Sequence, residues 1–423
     1  MNCYNTHKLD CGLRIIQLES NSNVVYCGYA IKAGARNERL TGKDERTEEG
    51  LAHFCEHMTF KGTEKLSSLK IINSLESVGG ELNAYTAKEE TVYYAAILNK
   101  YFDRAVEVLS DMVFHSVYPQ TEIDKEVEVV CDEIESYNDS PAELIYDEFE
   151  NELFHSQDLG HNVLGTPETV RGFTTEDCKR FTGRLYRPDN AVFYVLGSVD
   201  FNKLVKRLER IFASASVTCN ATEPLTYAKS VRIENGVGGK TKSVDHGTHQ
   251  QHIMTGTAIQ QDIERWRIPL FLVNNMLGGP SMNSRLNIAL REKRGLVYSV
   301  ESVLTTYTDT LVWTVYFGCD HSDSARCRRL TMSELRRLAR TPLSKARLEA
   351  AKRQIKGQIA LIAQNKENYA IDMAKQYLHY NKLKDNQRLL DKIDSVTSEE
   401  IHCMMNTVLN TDRLFTLVFK GGF

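Results

Sequence analysis

Residues 53–65 of the chain read HFCEHMTFKGTEK, and the first five of them place His53 and His57 four positions apart with Glu56 between them. The segment 47–58 is predicted to be a helix. On a helix, residues four apart lie on the same face, one turn from each other. Both imidazoles can therefore bind one metal ion, and Glu56 projects toward the same region.

The order H-x-x-E-H inverts the commoner H-E-x-x-H and is the motif of the inverzincin peptidases. A zinc ion with few protein ligands keeps a position open for water, and a carboxylate beside that water can pass its proton to a leaving amine. The motif arises by chance in roughly a few per cent of chains with this many histidines. Two surface histidines on a polar helix are therefore the alternative interpretation.

A third ligand is available in EIDKEVEVVCDEIESY, residues 122–137, which is predicted to form a helix. Glu126 and Glu133 are separated by two helical turns and share a face. One of them can bind the metal while the other orients a histidine. The alternative is an ordinary acidic surface, because the segment carries further glutamates.

Three segments together resemble the pitrilysin or insulinase type of peptidase, most closely its bacterial members and the catalytic subunit of mitochondrial processing peptidase. They are HFCEHMTFKGTEK, GGELNAYTAKEETVYY and EVEVVCDEIESYNDSPAEL. The resemblance implies that His53, His57 and Glu133 bind one zinc ion per chain. It also implies that Glu56 is the general base and that Glu126 is the carboxylate that supports a ligand.

The resemblance also includes the strand predicted at 81–87, ELNAYTA. It implies that this strand has a free edge, to which a peptide can add through main-chain hydrogen bonds. Asn83 and Ala84 match the positions that touch the substrate. The alternative is a plain sheet strand with an asparagine facing solvent.

In the second half, SRLNIALREKRGLVYSV (284–300) resembles the family's substrate-contact segment. The resemblance implies that Arg291 and Tyr298 reach the active site and stabilise the substrate carbonyl and the developing oxyanion. A guanidinium and a phenol suit that role. An ordinary helix-to-strand junction with an exposed arginine is the alternative.

The alternation of strand and helix patterns predicts an α+β protein. The resemblance implies two homologous α/β domains of the metallohydrolase type found in LuxS and the processing peptidases, which form half of a clamshell. The two halves also end alike, since TTEDCKRFTGRLYRPDNAVFYVLGS (174–198) compares with TSEEIHCMMNTVLNTDRLFTLVFKG (397–421). We interpret this as one unit used twice, although a terminal helix and strand are common in α+β domains.

We predict a zinc-binding catalytic domain at 1–212, a small and polar linker at 213–230, and a homologous domain at 231–423 that supplies substrate contacts. The segments predicted to form individual elements are strands at 12–17, 24–31, 81–87, 91–98 and 191–197, and helices at 47–58, 67–78, 101–114, 122–137 and 175–185.

The composition is that of an ordinary globular protein, with 42% hydrophobic and 26% charged residues. A net charge of -4 gives no reason to expect nucleic acid or an anionic membrane as a partner. The chain begins without the pattern of a secretory signal, and its 10 cysteines form no CxxC pair. We therefore expect a cytoplasmic protein with reduced thiols.

The predicted function is that of a zinc-dependent endopeptidase. It would cleave extended or unfolded peptides by attack of a zinc-bound water, with Glu56 as general base. The longest relatives carry four domains in one chain, so the resemblance implies that two chains associate. A homodimer is the simplest form, and a heterodimer with an inactive relative is open.

Two other functions remain as alternatives. One is a non-catalytic or partner-dependent subunit of a processing or scaffold complex, and the other is a hydrolase of non-peptide amides. The sequence DHGTHQQH (245–252) offers a second metal site, which we disfavour because histidines three apart on an extended segment alternate faces. Cys55 and Cys131 are interpreted as small core residues near the metal.

Overall fold

The computed structural model describes residues 4–40, 47–155, 159–214, 231–234, 236–383 and 385–421. The chain divides into two compact units. The first unit takes its described residues from Met1–Glu135, His161–Lys229 and Ile362–Asp385, and the second from Ser136–Gly160, Ser230–Leu361 and Asn386–Phe423.

The strands are β1 Tyr4–Lys8, β2 Arg14–Glu19, β3 Val24–Ile31, β4 Glu81–Thr86, β5 Thr91–Leu98, β6 Ala191–Gly197, β7 Thr241–Asp245, β8 Gln251–Ile259, β9 Val297–Thr306, β10 Leu311–Cys319 and β11 Phe415–Lys420. The helices are α1 Leu51–Thr59, α2 Ser68–Glu76, α3 Phe102–His115, α4 Gln120–Asn138, α5 Pro141–Leu153, α6 Pro167–Val170, α7 Thr175–Leu185, α8 Phe201–Ser214, α9 Ile263–Gly278, α10 Ser324–Arg340, α11 Lys345–Ile362, α12 Lys366–Tyr380, α13 Asn386–Ser395 and α14 Ser398–Thr407. A π-helical turn spans Asn287–Glu292.

Both sheets are built in the same order. The first runs β1-β2-β6-β3-β5-β4 and the second β7-β11-β8-β10-β9. Without β1, the strands of each sheet, numbered along the chain, lie in the order one, five, two, four, three. The pairs β2–β6 and β7–β11 are parallel, and the other pairs are antiparallel. The prediction of two homologous α/β domains is confirmed.

The repeated terminal segments occupy equivalent places in this topology. Helix α7 leads to β6 in the first sheet, and α14 leads to β11 in the second. Each helix begins with a capping box, in which the hydroxyl of Thr174 or Thr397 accepts the N–H of the residue three positions later. The cap satisfies a backbone N–H group that has no partner within the helix, so each helix starts at a defined residue.

Each sheet is apolar on both faces and is covered on both. Every residue of β6 and of β10 is buried, which is the pattern of strands with no solvent-facing side. In the first unit, α1, α3, α4, α7 and α8 pack on one face. Helix α12 covers the other face, where Met373 and Ala370 pack with Val92, Val192 and Tyr194.

The second unit repeats this arrangement. Helices α9, α10, α11, α13 and α14 share a core with one face of the second sheet. Helix α5 covers the other face, with Phe149 packed near Met254 and Phe415. The compact units therefore differ from contiguous halves, because 136–160 belongs to the second unit and 362–385 to the first.

The domain boundaries at 212 and 231 stay predictions, since 215–230, most of the predicted linker, lies outside the described residues. Helix α8 extends through Ser214, two residues into that linker. Helix α1 begins at Leu51, four residues later than predicted, because Gly50 precedes it in a left-handed conformation with φ +85°. Helix α5 and strand β1 were not among the predicted elements.

Two further observations concern the described residues alone. None of their helices is long and apolar enough to cross a membrane. Their eight cysteines are all free thiols.

The packing of α12 on the first sheet generates a stability prediction. Met373 is fully buried against the sheet. Met373→Ala leaves a cavity and should lower the free energy of unfolding by about 2–5 kcal/mol. Asn368→Ala, at an exposed position of the same helix, should change it by less than about 0.5 kcal/mol.

Urea denaturation of the full chain measures both variants, and amide hydrogen exchange in β6 locates the effect. Equal stability of the two variants would show that α12 is not part of the cooperative core of the first unit.

Candidate metal centre

The N-terminus of α1 is fixed by a carboxylate from an earlier part of the chain. The backbone N–H groups of Gly50 and Ala52 donate to Glu38 at 3.1 and 2.8 Å. Glu38 is fully buried and also contacts His161 Nε2 at 3.0 Å. A negative charge at this end of a helix satisfies free N–H groups and opposes the positive end of the helix dipole. The helix that carries the motif is thereby held at its first turn.

His53, His57 and Glu133 converge, as the sequence predicts for a metal site. The Nε2 atoms of the two histidines lie 3.2 Å apart. The Oε1 atom of Glu133 is 3.7 Å from His53 Nε2, and its Oε2 atom is 3.4 Å from His57 Nε2. Within the described part of the chain this is the only group of three or more His, Cys, Asp or Glu residues that could hold a metal ion.

These separations fit a tetrahedral zinc site. With bonds of about 2.0–2.1 Å, the ligand atoms of a zinc tetrahedron lie about 3.3 Å from each other. Two nitrogens and one carboxylate are a donor set that zinc accepts while keeping one position for water or substrate. The side chains become more exposed in the order His53, His57 and Glu133, at 9%, 22% and 44%.

Glu126 and Lys61 determine how His57 presents its nitrogens. Glu126 Oε1 lies 3.0 Å from His57 Nδ1, and Glu126 Oε2 lies 2.5 Å from Lys61 Nζ. A proton on Nδ1 that is donated to Glu126 leaves the Nε2 lone pair free for a metal. Burial opposes ionisation of Glu126, but the bonds from His57 and Lys61 outweigh it and lower the pKa of the carboxyl.

The two histidines differ in their affinity for protons. Burial, with the nearby charge of His57, lowers the pKa of His53 to about 3. Burial also acts to lower the pKa of His57, but the hydrogen bond to Glu126 and the charges of Glu56 and Glu133 outweigh it and raise that pKa. His53 is therefore held neutral, in the form that binds metal, whereas a metal competes with a proton at His57.

Glu56 lies on α1 beside the ligands and is 8% exposed. Its Oε2 atom accepts a hydrogen bond of 2.8 Å from the hydroxyl of Thr86. Burial raises the pKa of Glu56, the hydrogen bond from Thr86 and the charge of His57 act to lower it, and the charge of Glu133 adds to the increase. A carboxylate with a raised pKa is a stronger proton acceptor, as a general base requires.

The predicted substrate contacts on the first sheet lie on its edge strand. Strand β4 pairs with β5 and is the last strand of the sheet. The Asn83 side chain is exposed, and its Oδ1 accepts the N–H of Ala84 at 2.8 Å.

Arg291 and Tyr298 belong to the second unit, and the structure brings them together. The guanidinium carbon of Arg291 lies 5.9 Å from the centre of the Tyr298 ring, within the range of a cation–π contact. The Tyr298 side chain is 84% exposed. The two residues thus present a cationic and a phenolic donor side by side on the surface of that unit.

The other candidate ligands do not join a metal group. The histidines of 245–252 are absent from the only such group among the described residues. One of them, His252, instead bonds to the Tyr316 hydroxyl at 2.8 Å. Cys55 is fully buried, and its sulfur contacts the carbonyl of Cys178 on α7.

Three contributors to the site were not recognised from the sequence, namely Glu38, Lys61 and Thr86. Lys61 follows His57 by four residues, a spacing that could have indicated a common location. Glu38 and Thr86 come from distant turns and strands, and no local spacing connects them with the motif.

Comparison with known proteins identifies the family. The profile of the insulinase family (peptidase family M16) matches residues 14–167, and that of the peptidase M16 inactive domain matches residues 172–355. An uncharacterized zinc protease of Bacillus subtilis is 31% identical over 419 residues, which are 97% of each chain. One of Rickettsia bellii is 30% identical over 410 residues, 96% of this chain and 95% of the relative. The chain belongs to the insulinase family of peptidases.

Solved structures agree on the fold. A protease from Helicobacter pylori matches with a TM-score of 0.88 at 19% identity, over 99% of both chains. A peptidase M16 inactive domain from Pseudomonas fluorescens matches with a TM-score of 0.86 at 17% identity, over 100% of this chain and 98% of the other. The predicted fold class is confirmed.

The geometry of the cluster generates a prediction about metal binding. Glu133→Gln replaces a charged ligand by a weak neutral one and should lower zinc affinity at least about 10-fold. Glu135→Gln removes a charge from an exposed position of the same helix and should leave the affinity unchanged.

Isothermal titration with zinc, together with metal content after dialysis, distinguishes the two variants. Equal zinc affinity in Glu133→Gln and Glu135→Gln would exclude Glu133 as a ligand.

Proposed function

We propose that the protein is a zinc-dependent endopeptidase that cleaves extended or unfolded peptides. The observation that carries the proposal is the convergence of His53, His57 and Glu133 beside the buried carboxylate of Glu56. The relatives in Bacillus and Rickettsia are named zinc proteases. The names of these relatives and the set of donor atoms both indicate zinc, and we propose one zinc ion per chain.

The residues of the site have separate tasks. Zinc, when bound, supplies a Lewis acid that polarises the peptide carbonyl and acidifies a water molecule. Glu56 accepts the proton of that water and delivers it to the nitrogen of the leaving amine. Glu126 keeps the Nδ1 proton of His57 in place, so Nε2 remains a metal ligand throughout.

The edge strand β4 supports a preference for extended substrates. Its outer side has no strand partner among the described residues, so its N–H and C=O groups can pair with a peptide backbone. Asn83 and Ala84 lie on this strand and are the proposed contacts. Main-chain pairing requires an extended peptide and tolerates many sequences.

Arg291 and Tyr298 are proposed to stabilise the oxyanion that develops on the substrate carbonyl. Their exposure and mutual contact support a role toward a ligand rather than in the core. A cationic donor and a phenolic donor act on the developing charge more than on the neutral carbonyl, and such differential binding accelerates the chemical step.

We also propose that two chains associate, as the resemblance to four-domain relatives implies. A homodimer is the simplest form, because each copy carries both the metal motif and the Arg291–Tyr298 segment. A heterodimer with an inactive relative is the second possibility. Assaying size-exclusion fractions for cleavage of quenched peptides tests the homodimer, and activity that elutes at the mass of one chain would contradict it. The cytoplasmic location stays a prediction from the cysteine pattern.

A non-catalytic subunit is the competing function. The second half matches a domain described as inactive, which agrees with the absence of an H-x-x-E-H motif there. The first half retains three candidate ligands, a buried base and the carboxylate that supports His57. A subunit without catalysis has no need of this complete set, so we favour the enzyme.

Cleavage of a pool of quenched 10- to 40-residue peptides tests the proposal. Wild-type protein should cleave in a zinc-dependent way. Glu56→Gln should retain zinc and lose at least about 100-fold in kcat, because the amide cannot accept the proton. Glu135→Gln serves as the control. A Glu56→Gln protein with undiminished turnover refutes the base, and zinc-loaded wild type without cleavage favours the subunit role.

Arg291→Ala should lower kcat roughly 100-fold while zinc content stays the same, because an oxyanion donor is lost. Lys293→Ala removes an exposed cation from the same segment and should have little effect. Steady-state kinetics and metal analysis compare the two variants. Unaffected kinetics in Arg291→Ala would remove this residue from the mechanism.

A further inference from the structure

The hydroxyl of Thr86 makes the only hydrogen bond found for the Glu56 carboxylate among the described residues. Thr86 is the last residue of β4, and its Oγ1 lies 2.8 Å from Glu56 Oε2. Glu56 is thirty positions earlier on α1. The contact therefore joins the motif helix to the edge strand of the sheet.

The proton of this hydroxyl has one preferred acceptor. A second oxygen, Thr91 Oγ1, lies 3.4 Å away, and Thr91 donates its own proton to the carbonyl of Ala33 at 2.7 Å. The distance to Glu56 is shorter and the acceptor is an anion, and hydrogen bonds to ionised acceptors are the stronger ones. Thr86 is therefore the donor and Glu56 Oε2 the acceptor.

The alternation of side chains along β4 places Thr86 on the face that packs against α1. Leu82 and Ala84, four and two positions earlier, pack against the core that includes α1, whereas Tyr85 packs on the opposite face with α12. Thr86 pairs directly with the fully buried Thr91 of the neighbouring strand. The hydroxyl is thus attached to the end of β4 at a position that is paired with a buried residue of the sheet.

We propose that Thr86 is a positioning residue for the general base: its hydroxyl fixes Oε2 of Glu56 so that Oε1 faces the attacking water. The inference rests on the proposed peptidase function and adds a residue that the motif does not contain. Without this bond, the carboxylate can rotate about its terminal torsion, which has a broad energy profile.

The position of Thr86 also relates the base to the substrate. Ala84 and Asn83, the proposed substrate contacts, lie two and three residues before Thr86 on the same strand. A peptide that pairs with β4 is therefore placed by the same strand that holds Glu56. Because reaction rates depend strongly on the relative placement of reacting groups, one strand that sets both positions favours catalysis.

The test uses Thr86→Val and Thr86→Ser in the full-length, zinc-loaded protein. Valine keeps the shape and the strand preference of threonine but has no hydroxyl, whereas serine keeps the hydroxyl. We expect Thr86→Val to lower kcat by about 10- to 100-fold, the usual effect of removing an outer hydrogen-bond partner. KM should stay within about twofold of wild type, since substrate binding is retained. Thr86→Ser should restore most of kcat.

Zinc titration and thermal unfolding of both variants provide readouts besides activity, and we expect zinc affinity to match wild type. A purely structural role would instead raise KM, weaken zinc binding or fail to be rescued by serine, and any of these results overturns the proposal. Wild-type kcat in Thr86→Val overturns it as well, while leaving the peptidase function intact. Zinc-loaded wild type that cleaves no peptide refutes the peptidase function, and this inference with it.

Discussion

The placement of α4 beside the metal-motif residues of α1 is the constraint on which the site depends. Two imidazole nitrogens and a carboxylate can share one metal only if these helices hold their ligands within a few ångströms, and the three ligand atoms do lie within 4.8 Å of one another. The bond from His57 to Glu126 ties α1 to α4 directly beside the ligands. At the N-terminus of α1, the Glu38 carboxylate accepts the backbone N–H groups of Gly50 and Ala52 and so fixes that end of the helix. The geometry of the ligands therefore depends on residues, Glu126 and Glu38, that are not themselves candidate ligands.

The duplicated fold shows which part of this arrangement is scaffold and which is chemistry. The second unit repeats the strand order of the first, and α9 follows β8 as α1 follows β3. Helix α9 has the sequence IERWRIPLFLVNNMLG, which contains no histidine and is largely buried. The same topology thus supports a metal site in one unit and a plain core in the other. The difference lies in a few side chains, which belong to α1 and, in the case of Glu133, to α4. Sheet order alone places no ligand.

The sequence pattern relates the residues at the centre of the candidate site to one another, but it does not reveal the residues around them. His53, His57 and Glu56 share one helix, so helical periodicity alone relates them. Glu133 and Glu126 were found because they also share a helix and match the family pattern. Thr86, Lys61 and Glu38 act through tertiary contacts, and such contacts have no period in the sequence.

The elements of the fold could also be predicted from local sequence patterns. The prediction was incomplete where the fold depends on tertiary contacts. Strand β3 has the predicted bounds, and the repeated helix-to-strand segments gave the two α/β units. Helices α5 and α12 are exceptions. Helix α5 covers a face of the second sheet although the chain on either side of it belongs to the first unit, and α12 covers a face of the first sheet although the chain on either side of it belongs to the second unit. A sheet with two apolar faces requires such a cover, but the strand pattern does not say which helix provides it.

The gradient of exposure across the site gives the direction of access. His53 is the most buried ligand and Glu133 the most exposed, while Glu56 is almost as buried as His53. Solvent therefore reaches the cluster from the side of Glu133, and Glu56, the proposed proton acceptor, lies on the protected side. Burial raises the pKa of Glu56 there, and the hydroxyl of Thr86 moderates that increase while it holds one oxygen in place. The proposed base is in this position a stronger proton acceptor than an exposed carboxylate, because low polarity raises its proton affinity, and the hydrogen bond from Thr86 is proposed to limit its rotation.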